Sequence, residues 1–140
     1  GNLEQKIRYT LTDKNEFIID YEMLSDMTTV VNPTNHSYFN LDGHNSGTIL
    51  KHYMEIYSGQ MLELGNYMIP TGEIIDISDT PFDFRKSKQI GKDGAIYNKR
   101  SGVCFETQFY PNSCNNPEFP SCILPAYKIF KSRTVYQFFA

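Results

Sequence analysis

Alternation of apolar and polar residues is the feature that most constrains the fold of this 140-residue chain. In residues 17–23, apolar side chains would point to one side of an extended chain, and acidic side chains fall on the other. A period of two residues is typical of a strand in a sheet with one buried face. The run 7–12 is also rich in strand-forming residues, so the polar triplet 13–15 between the two runs predicts a hairpin.

Further short strand-forming runs follow, separated by polar turns. They lie at residues 28–32, 53–58, 74–77, 103–109 and 134–139. A turn is predicted at residues 70–72, and the proline- and asparagine-rich stretch 111–125 predicts an ordered loop. Because no window keeps a helical period over three turns, the sequence predicts an all-β protein, a sandwich or a barrel, formed by a single domain over residues 1–140.

Charge and composition exclude several classes of protein. A net charge of -3 without a basic stripe argues against nucleic acid or an anionic membrane surface as a partner. No apolar run approaches the roughly 20 residues of a membrane span. The three cysteines, Cys104, Cys114 and Cys122, are an odd set without a Cys-x-x-Cys pair, so we expect free thiols rather than disulfides or a zinc site. With no apolar signal segment at residues 1–6, we expect a cytoplasmic protein.

His36 is the first candidate for chemistry. It lies between Asn35 and Ser37, and polar neighbours of this kind can orient an imidazole for proton transfer. A loop histidine bonded to the backbone is the plainer interpretation of the same pattern. His36, His44 and His52 could together bind a metal ion, but no carboxylate pattern accompanies them, so we expect no metal there.

Glu106 is the second candidate, in the strand-forming run 103–109. Cys104 and Gln108 share its predicted face of the strand. A buried carboxylate would be costly here without a function, whereas on a solvated face Glu106 would be an ordinary surface acid. Cys104 with His36 could also form a nucleophile and base, but no helix N-terminus is predicted to activate the thiol.

Asp83 and Arg85 alternate with two phenylalanines in the segment 80–86. Their spacing places them on one face of an extended chain. This pattern predicts an ion pair that fixes a loop to the core.

Six segments of the chain form sequence motifs of five to ten residues. They are 35–41 (NHSYFNL), 69–74 (IPTGEI), 80–86 (TPFDFRK), 102–108 (GVCFETQ), 111–120 (PNSCNNPEFP) and 134–138 (TVYQF). In this order they closely resemble the motifs of the aldose 1-epimerase (galactose mutarotase) family. The resemblance extends over nearly the whole chain.

The resemblance implies part of a large antiparallel β-sandwich, the galactose mutarotase-like supersandwich. It implies an isomerase that interconverts the α and β anomers of hexoses such as glucose and galactose, with a small aldose as its partner and no metal or cofactor. In this family a Glu takes the proton of the anomeric hydroxyl while a His protonates the ring oxygen. The matching motifs give these catalytic roles to Glu106 and His36.

The chain also departs from the family pattern. Its 140 residues hold no counterpart of the segment with a second active-site His and a substrate-binding Arg, nor of the Asp that fixes the sugar hydroxyls. The segment 91–94 joins two points that several strands separate in the family, which predicts a deletion junction. We therefore expect weak or no activity from the isolated chain. The alternatives are a non-catalytic carbohydrate-binding module, a degenerate remnant, or an enzyme for another hexose or a sugar phosphate.

Overall fold

The computed structural model describes residues 1–91 and 100–139. This part of the chain forms eleven β-strands. In chain order they are β1 (Leu3–Leu11), β2 (Glu16–Ser25), β3 (Thr29–Val30), β4 (Tyr38–Phe39), β5 (Tyr53–Met54), β6 (Gln60–Leu64), β7 (Pro70–Asp76), β8 (Lys88–Gln89), β9 (Val103–Cys104), β10 (Ile123–Leu124) and β11 (Ile129–Gln137). Single turns of 3-10 helix lie at Ile49–Lys51, Asn66–Met68 and Ser113–Asn115. Every pairing of these strands is antiparallel, which confirms the predicted all-β class.

None of the helical turns in the described residues is long and apolar enough to cross a membrane. Contacts divide the chain into two compact units. The first unit comprises Gly1–Thr34 and Thr107–Ala140, and the second is Asn35–Glu106. A single domain over the whole chain stays a prediction. Of the predicted junction at 91–94, only Gly91 lies within the described residues.

A three-stranded sheet in the order β1-β2-β11 dominates the first unit. The hairpin between β1 and β2 is confirmed: the Thr12 N–H donates to the Glu16 carbonyl at 3.1 Å, and Asn15 takes the positive φ of 58° that the turn needs. Asn tolerates this left-handed conformation better than most residues because its short side chain bonds locally. Both strands are longer than the sequence predicted.

The two faces of this sheet follow the predicted alternation. One face of β2 packs into a core of five buried side chains: Ile19, Tyr21, Met23, Val31 and Leu124. The opposite face carries cross-strand ion pairs, of which Arg133 Nε to Asp20 Oδ1 is 2.6 Å long. This bond to Arg133 lowers the pKa of the Asp20 carboxyl, which keeps the carboxylate charged.

The second unit contains the pairs β4-β9, β5-β8 and β6-β7. The turn predicted at residues 70–72 is wrong, because these residues begin β7. The chain reverses earlier, where the Gly65 N–H donates to the Ile69 carbonyl at 2.9 Å. Gly72, at φ 107°, instead lies where the register of β6 and β7 shifts, so the glycine serves a bulge rather than a turn.

Several predicted strands are shorter in the structure. The runs 28–32, 53–58 and 103–109 each retain a ladder of only two residues, in β3, β5 and β9. One physical reason is visible at Phe109, whose backbone N–H and C=O both bond to the Asn32 side chain, at 2.8 and 3.2 Å, rather than to a neighbouring strand. The stretch 111–125 is a loop that ends in β10.

Candidate active site

The pairing of β4 with β9 determines what the site contains. Tyr38 is paired with Cys104 in this antiparallel ladder. His36 lies two residues before Tyr38, and Glu106 lies two residues after Cys104, so both residues flank the same end of this short ladder.

His36 and Glu106 are in contact, as the two predicted site residues should be if they act together. Nε2 of His36 lies 3.2 Å from Oε1 of Glu106, and the side chains are 58% and 29% exposed. A protonated imidazole and an ionised carboxylate at this distance form an ion pair. Glu106 is therefore not a buried carboxylate, and its position beside His36, rather than desolvation, is what distinguishes it from an ordinary surface acid.

Cys104 completes a row of three polar groups on this surface. Its Sγ lies 3.2 Å from Nδ1 of His36 and 3.8 Å from the His36 carbonyl oxygen. Burial, and then the charge of Glu106, raise the pKa of the thiol, whereas a hydrogen bond with Tyr38 acts in the opposite direction. The thiol therefore stays protonated, which disfavours Cys104 as a nucleophile.

A protonated thiol can hold the imidazole in either of its charge states. When His36 is neutral, the S–H donates to Nδ1, and Nε2–H donates to the Glu106 carboxylate. When His36 is protonated, Nδ1–H donates to the sulfur and the S–H turns to the His36 carbonyl oxygen. The sequence suggested Cys104 and His36 only as a nucleophile and its base, whereas the structure places a protonated thiol beside the imidazole.

Aromatic rings pack around this row. The Tyr38 ring lies 5.1 Å from the His36 ring, between centroids, at an angle of 53°. On the other face, Phe39 and Phe105 are 6.2 Å apart and tilted. These contacts restrict the rotamers of His36 and fasten the two strands to each other.

The other predicted groups lie outside this cluster. Nε2 of His52 accepts the Leu41 N–H at 3.0 Å. In the described residues, one group of side chains is close enough together to bind a metal ion, and it includes neither His44 nor His52. The predicted ion pair is confirmed, with Nη2 of Arg85 at 2.6 Å from Oδ2 of Asp83. This guanidinium holds the pKa of the Asp83 carboxyl well below its usual range.

The acid–base pair sits on an open surface. The side chains of His36 and Glu106 are 58% and 29% exposed, and neither lines the pockets of about 790, 520 and 290 Å³ in the described part of the chain. Tyr38 lines the second, together with Asn40, His44 and Ser101. Water is therefore not excluded from the imidazole and the carboxylate.

Fold and site together define an antiparallel β protein with a paired imidazole and carboxylate suited to acid–base chemistry. The sequence profile of the aldose 1-epimerase family matches residues 1–99. The chain is 29% identical to the galactose mutarotase of Mus musculus over 199 aligned positions, which cover 99% of this chain and 58% of that protein. It is 40% identical to the aldose 1-epimerase of Streptococcus thermophilus over 92 positions, which are 64% of this chain and 26% of that one.

A solved aldose epimerase homologue from C. elegans superposes with a TM-score of 0.87 at 22% identity, covering 96% of this chain and 59% of the other. This likeness confirms that the chain has the predicted galactose mutarotase-like fold, in part. The chain belongs to the aldose 1-epimerase family. It spans somewhat over half the length of the mammalian relative it matches.

Proposed function

We propose that this chain carries the proton-transfer groups of an aldose 1-epimerase, with Glu106 as the base and His36 as the acid. The observation that carries the proposal is the 3.2 Å contact between Nε2 of His36 and Oε1 of Glu106. The two residues are far apart in the sequence, and they lie in the two family motifs that supply this pair.

The chemistry needs an acid and a base that can both reach the same carbon of the sugar. To open a pyranose, one proton leaves the anomeric hydroxyl and another arrives on the ring oxygen, while the bond between C1 and the ring oxygen breaks. Both oxygens are bonded to the same carbon, so the base and the acid that serve them must be neighbours. Proton transfer by one well-placed group contributes about 10²–10⁴-fold to the rate.

The contact between the two residues must open when the sugar binds. At 3.2 Å the imidazole and the carboxylate bond to each other, so this bond must break before each can bond to a sugar oxygen. His36 is more than half exposed, so its side chain has room to move aside. After the ring opens, rotation about the bond next to the carbonyl carbon presents its other face, and the reverse proton transfers close the ring as the other anomer.

We further propose that the activity of these 140 residues alone is weak. Both groups are exposed to solvent, neither lines the three pockets described above, and the family resemblance implies that the sugar-binding Arg and Asp have no counterpart in these residues. Poor positioning of a substrate costs orders of magnitude in rate. Glucose and galactose are the substrates we expect, since the mouse relative is named a galactose mutarotase.

Polarimetry of freshly dissolved α-D-glucose or α-D-galactose tests the proposal. We expect a small acceleration over buffer, which falls to the buffer rate in Glu106→Gln and in His36→Gln. Glu55→Gln is the matched control, because Glu55 is an exposed acid of the same unit. An acceleration that survives Glu106→Gln would overturn the assignment of the base.

A second candidate function is sugar binding without catalysis. The observation in its favour is the exposure of both side chains, since an imidazole and a carboxylate open to solvent can bond to sugar hydroxyls without a pocket that excludes water. Protection of the chain by galactose in a thermal melt, with mutarotation at the buffer rate, would favour this alternative.

A reducing location such as the cytoplasm is also proposed. It is supported by the cysteines, since Cys104, Cys114 and Cys122 are all free thiols. Fractionation of cells that express the chain would test it, and recovery from an oxidising compartment would contradict it.

A further inference from the structure

The thiol, imidazole and carboxylate of the site are also a set of metal ligands. Cys104, His36 and Glu106 each offer one ligand atom, and these atoms all lie within 4.8 Å of one another. No second group of this kind occurs within residues 1–91 and 100–139. We propose that the three residues form a binding site for Zn²⁺, with an open fourth position.

The donor set selects the metal. One sulfur, one nitrogen and one oxygen suit a borderline ion such as Zn²⁺, whereas Mg²⁺ and Ca²⁺ take oxygen ligands in larger numbers. Three protein ligands and one open position are the arrangement of zinc sites that exchange their fourth ligand. The charges also match, because a thiolate and a carboxylate together neutralise the two positive charges of the ion.

The distances permit a tetrahedral ion after a small adjustment. With Zn–S of about 2.3 Å and Zn–N of about 2.0 Å, two ligand atoms of a tetrahedral site lie about 3.5 Å apart. Sγ of Cys104 and Nδ1 of His36 are already 3.2 Å apart. The carboxylate now contacts the other ring nitrogen, so Glu106 or the ring must shift by about an ångström or more to complete the site.

The surroundings allow both the entry of the ion and this adjustment. The His36 side chain is 58% exposed and that of Glu106 is 29% exposed. Binding forms a zinc–thiolate bond, and the thiol proton passes to the solvent. Two of the three ligands, Cys104 and Glu106, are only two residues apart in the chain, so the backbone keeps them close to each other before the metal arrives.

Zinc in this site would inhibit the enzyme. A bound ion occupies Nδ1 of His36 and an oxygen of Glu106, so the imidazole can no longer carry protons on both nitrogens and the carboxylate is no longer a free base. This consequence rests on the proposed function. The metal site itself rests only on the ligand geometry.

A calorimetric titration of the full 140-residue chain with ZnCl₂, after treatment with a chelator, tests the site. We expect one ion per chain, and an affinity that falls roughly 10–100-fold or more in Cys104→Ser and in His36→Gln. Co²⁺ provides a spectroscopic probe, since a thiolate-to-cobalt charge-transfer band should appear in the wild type and be absent in Cys104→Ser. The matched controls, Cys114→Ser and His44→Gln, change residues outside the cluster and should bind as the wild type does.

An unmutated chain supplies an independent readout. Bound Zn²⁺ should slow alkylation of Cys104 by iodoacetamide, mapped by mass spectrometry, and leave that of the exposed Cys114 unchanged. Absence of binding, or binding and cobalt absorption that survive Cys104→Ser, would overturn the metal site. Polarimetry separates the two proposals: a chain that binds zinc but never accelerates mutarotation refutes the proposed function alone, and activity that persists with zinc bound refutes the inhibition.

Discussion

Ile19 provides the most direct test of how the first unit is held together. It lies in the central strand β2 with no exposed surface, between Tyr9 on β1 and Thr134 on β11. Ile19→Ala removes three carbons, which at about 0.8 kcal/mol per buried methylene costs about 2.4 kcal/mol before any cavity forms. Because Tyr9 is 59% exposed, its ring has room to relax toward the gap, so we expect a loss of about 2–3 kcal/mol in unfolding free energy.

Ile18→Ala is the matched control for this change. Ile18 is the preceding residue of the same strand, so the same atoms are deleted and the change in strand propensity is similar. It points to the opposite face, where it is only half-buried, and we expect a loss of about 1 kcal/mol.

Urea unfolding followed by far-UV circular dichroism measures both variants. The difference in midpoint, multiplied by the slope, gives the change in unfolding free energy as long as the slope is unchanged. Equal losses in the two variants, or a larger loss in Ile18→Ala, would refute the assignment of the buried face of β2.

Three further changes test other parts of the fold. Asn32→Leu leaves the half-buried backbone N–H and C=O of Phe109 without their partner, and should lower the unfolding free energy by about 1–3 kcal/mol in urea; a loss within error of zero would contradict it. Gly72→Ala places a side chain at φ 107° and should cost about 1–2 kcal/mol, seen as a lower melting temperature; an unchanged melt would exclude the strain. The bond to Arg133 lowers the pKa of Asp20 in the folded state, so its stabilisation is present above the unfolded pKa and is lost as the pH falls through the folded pKa. The melting temperature of Asp20→Asn should therefore fall below that of the wild type at neutral pH and approach it in acid, and a difference that persists in acid would contradict this sign.

The sequence pattern predicted a strand correctly where that strand buries one face along its whole length. The run 17–23 alternates because β2 has apolar core on one side and ion pairs on the other, and the hairpin at 13–15 follows from polar turn residues between two such strands. These signals are local, so they can be identified in a single sequence.

The sequence pattern did not predict strand length correctly where the hydrogen-bond partners come from distant parts of the chain. The run 103–109 has strand-forming residues throughout, yet pairs over only two of them, because Asn32 takes the hydrogen bonds of Phe109. The turn predicted at 70–72 failed for a related reason. Gly72 has the positive φ that is typical of a turn glycine, but it lies in the bulge between β6 and β7.

The acid–base contact is a property of strand register more than of either residue. Slipping β4 by one position against β9 would pair Tyr38 with Val103 or Phe105 instead of Cys104, and would turn the side chains of one strand to the other face. Gly102 suits this register, since a Cβ there would lie 3.0 Å from Cβ of Tyr38, and the two segments would have to move apart by a few tenths of an ångström to admit it. The contact of Phe39 with Phe105 fixes the same register from the other face. The residues that bring the imidazole and the carboxylate together are thus the glycine and the aromatic side chains between the strands, and for that reason each polar residue considered alone resembled an ordinary loop or surface residue.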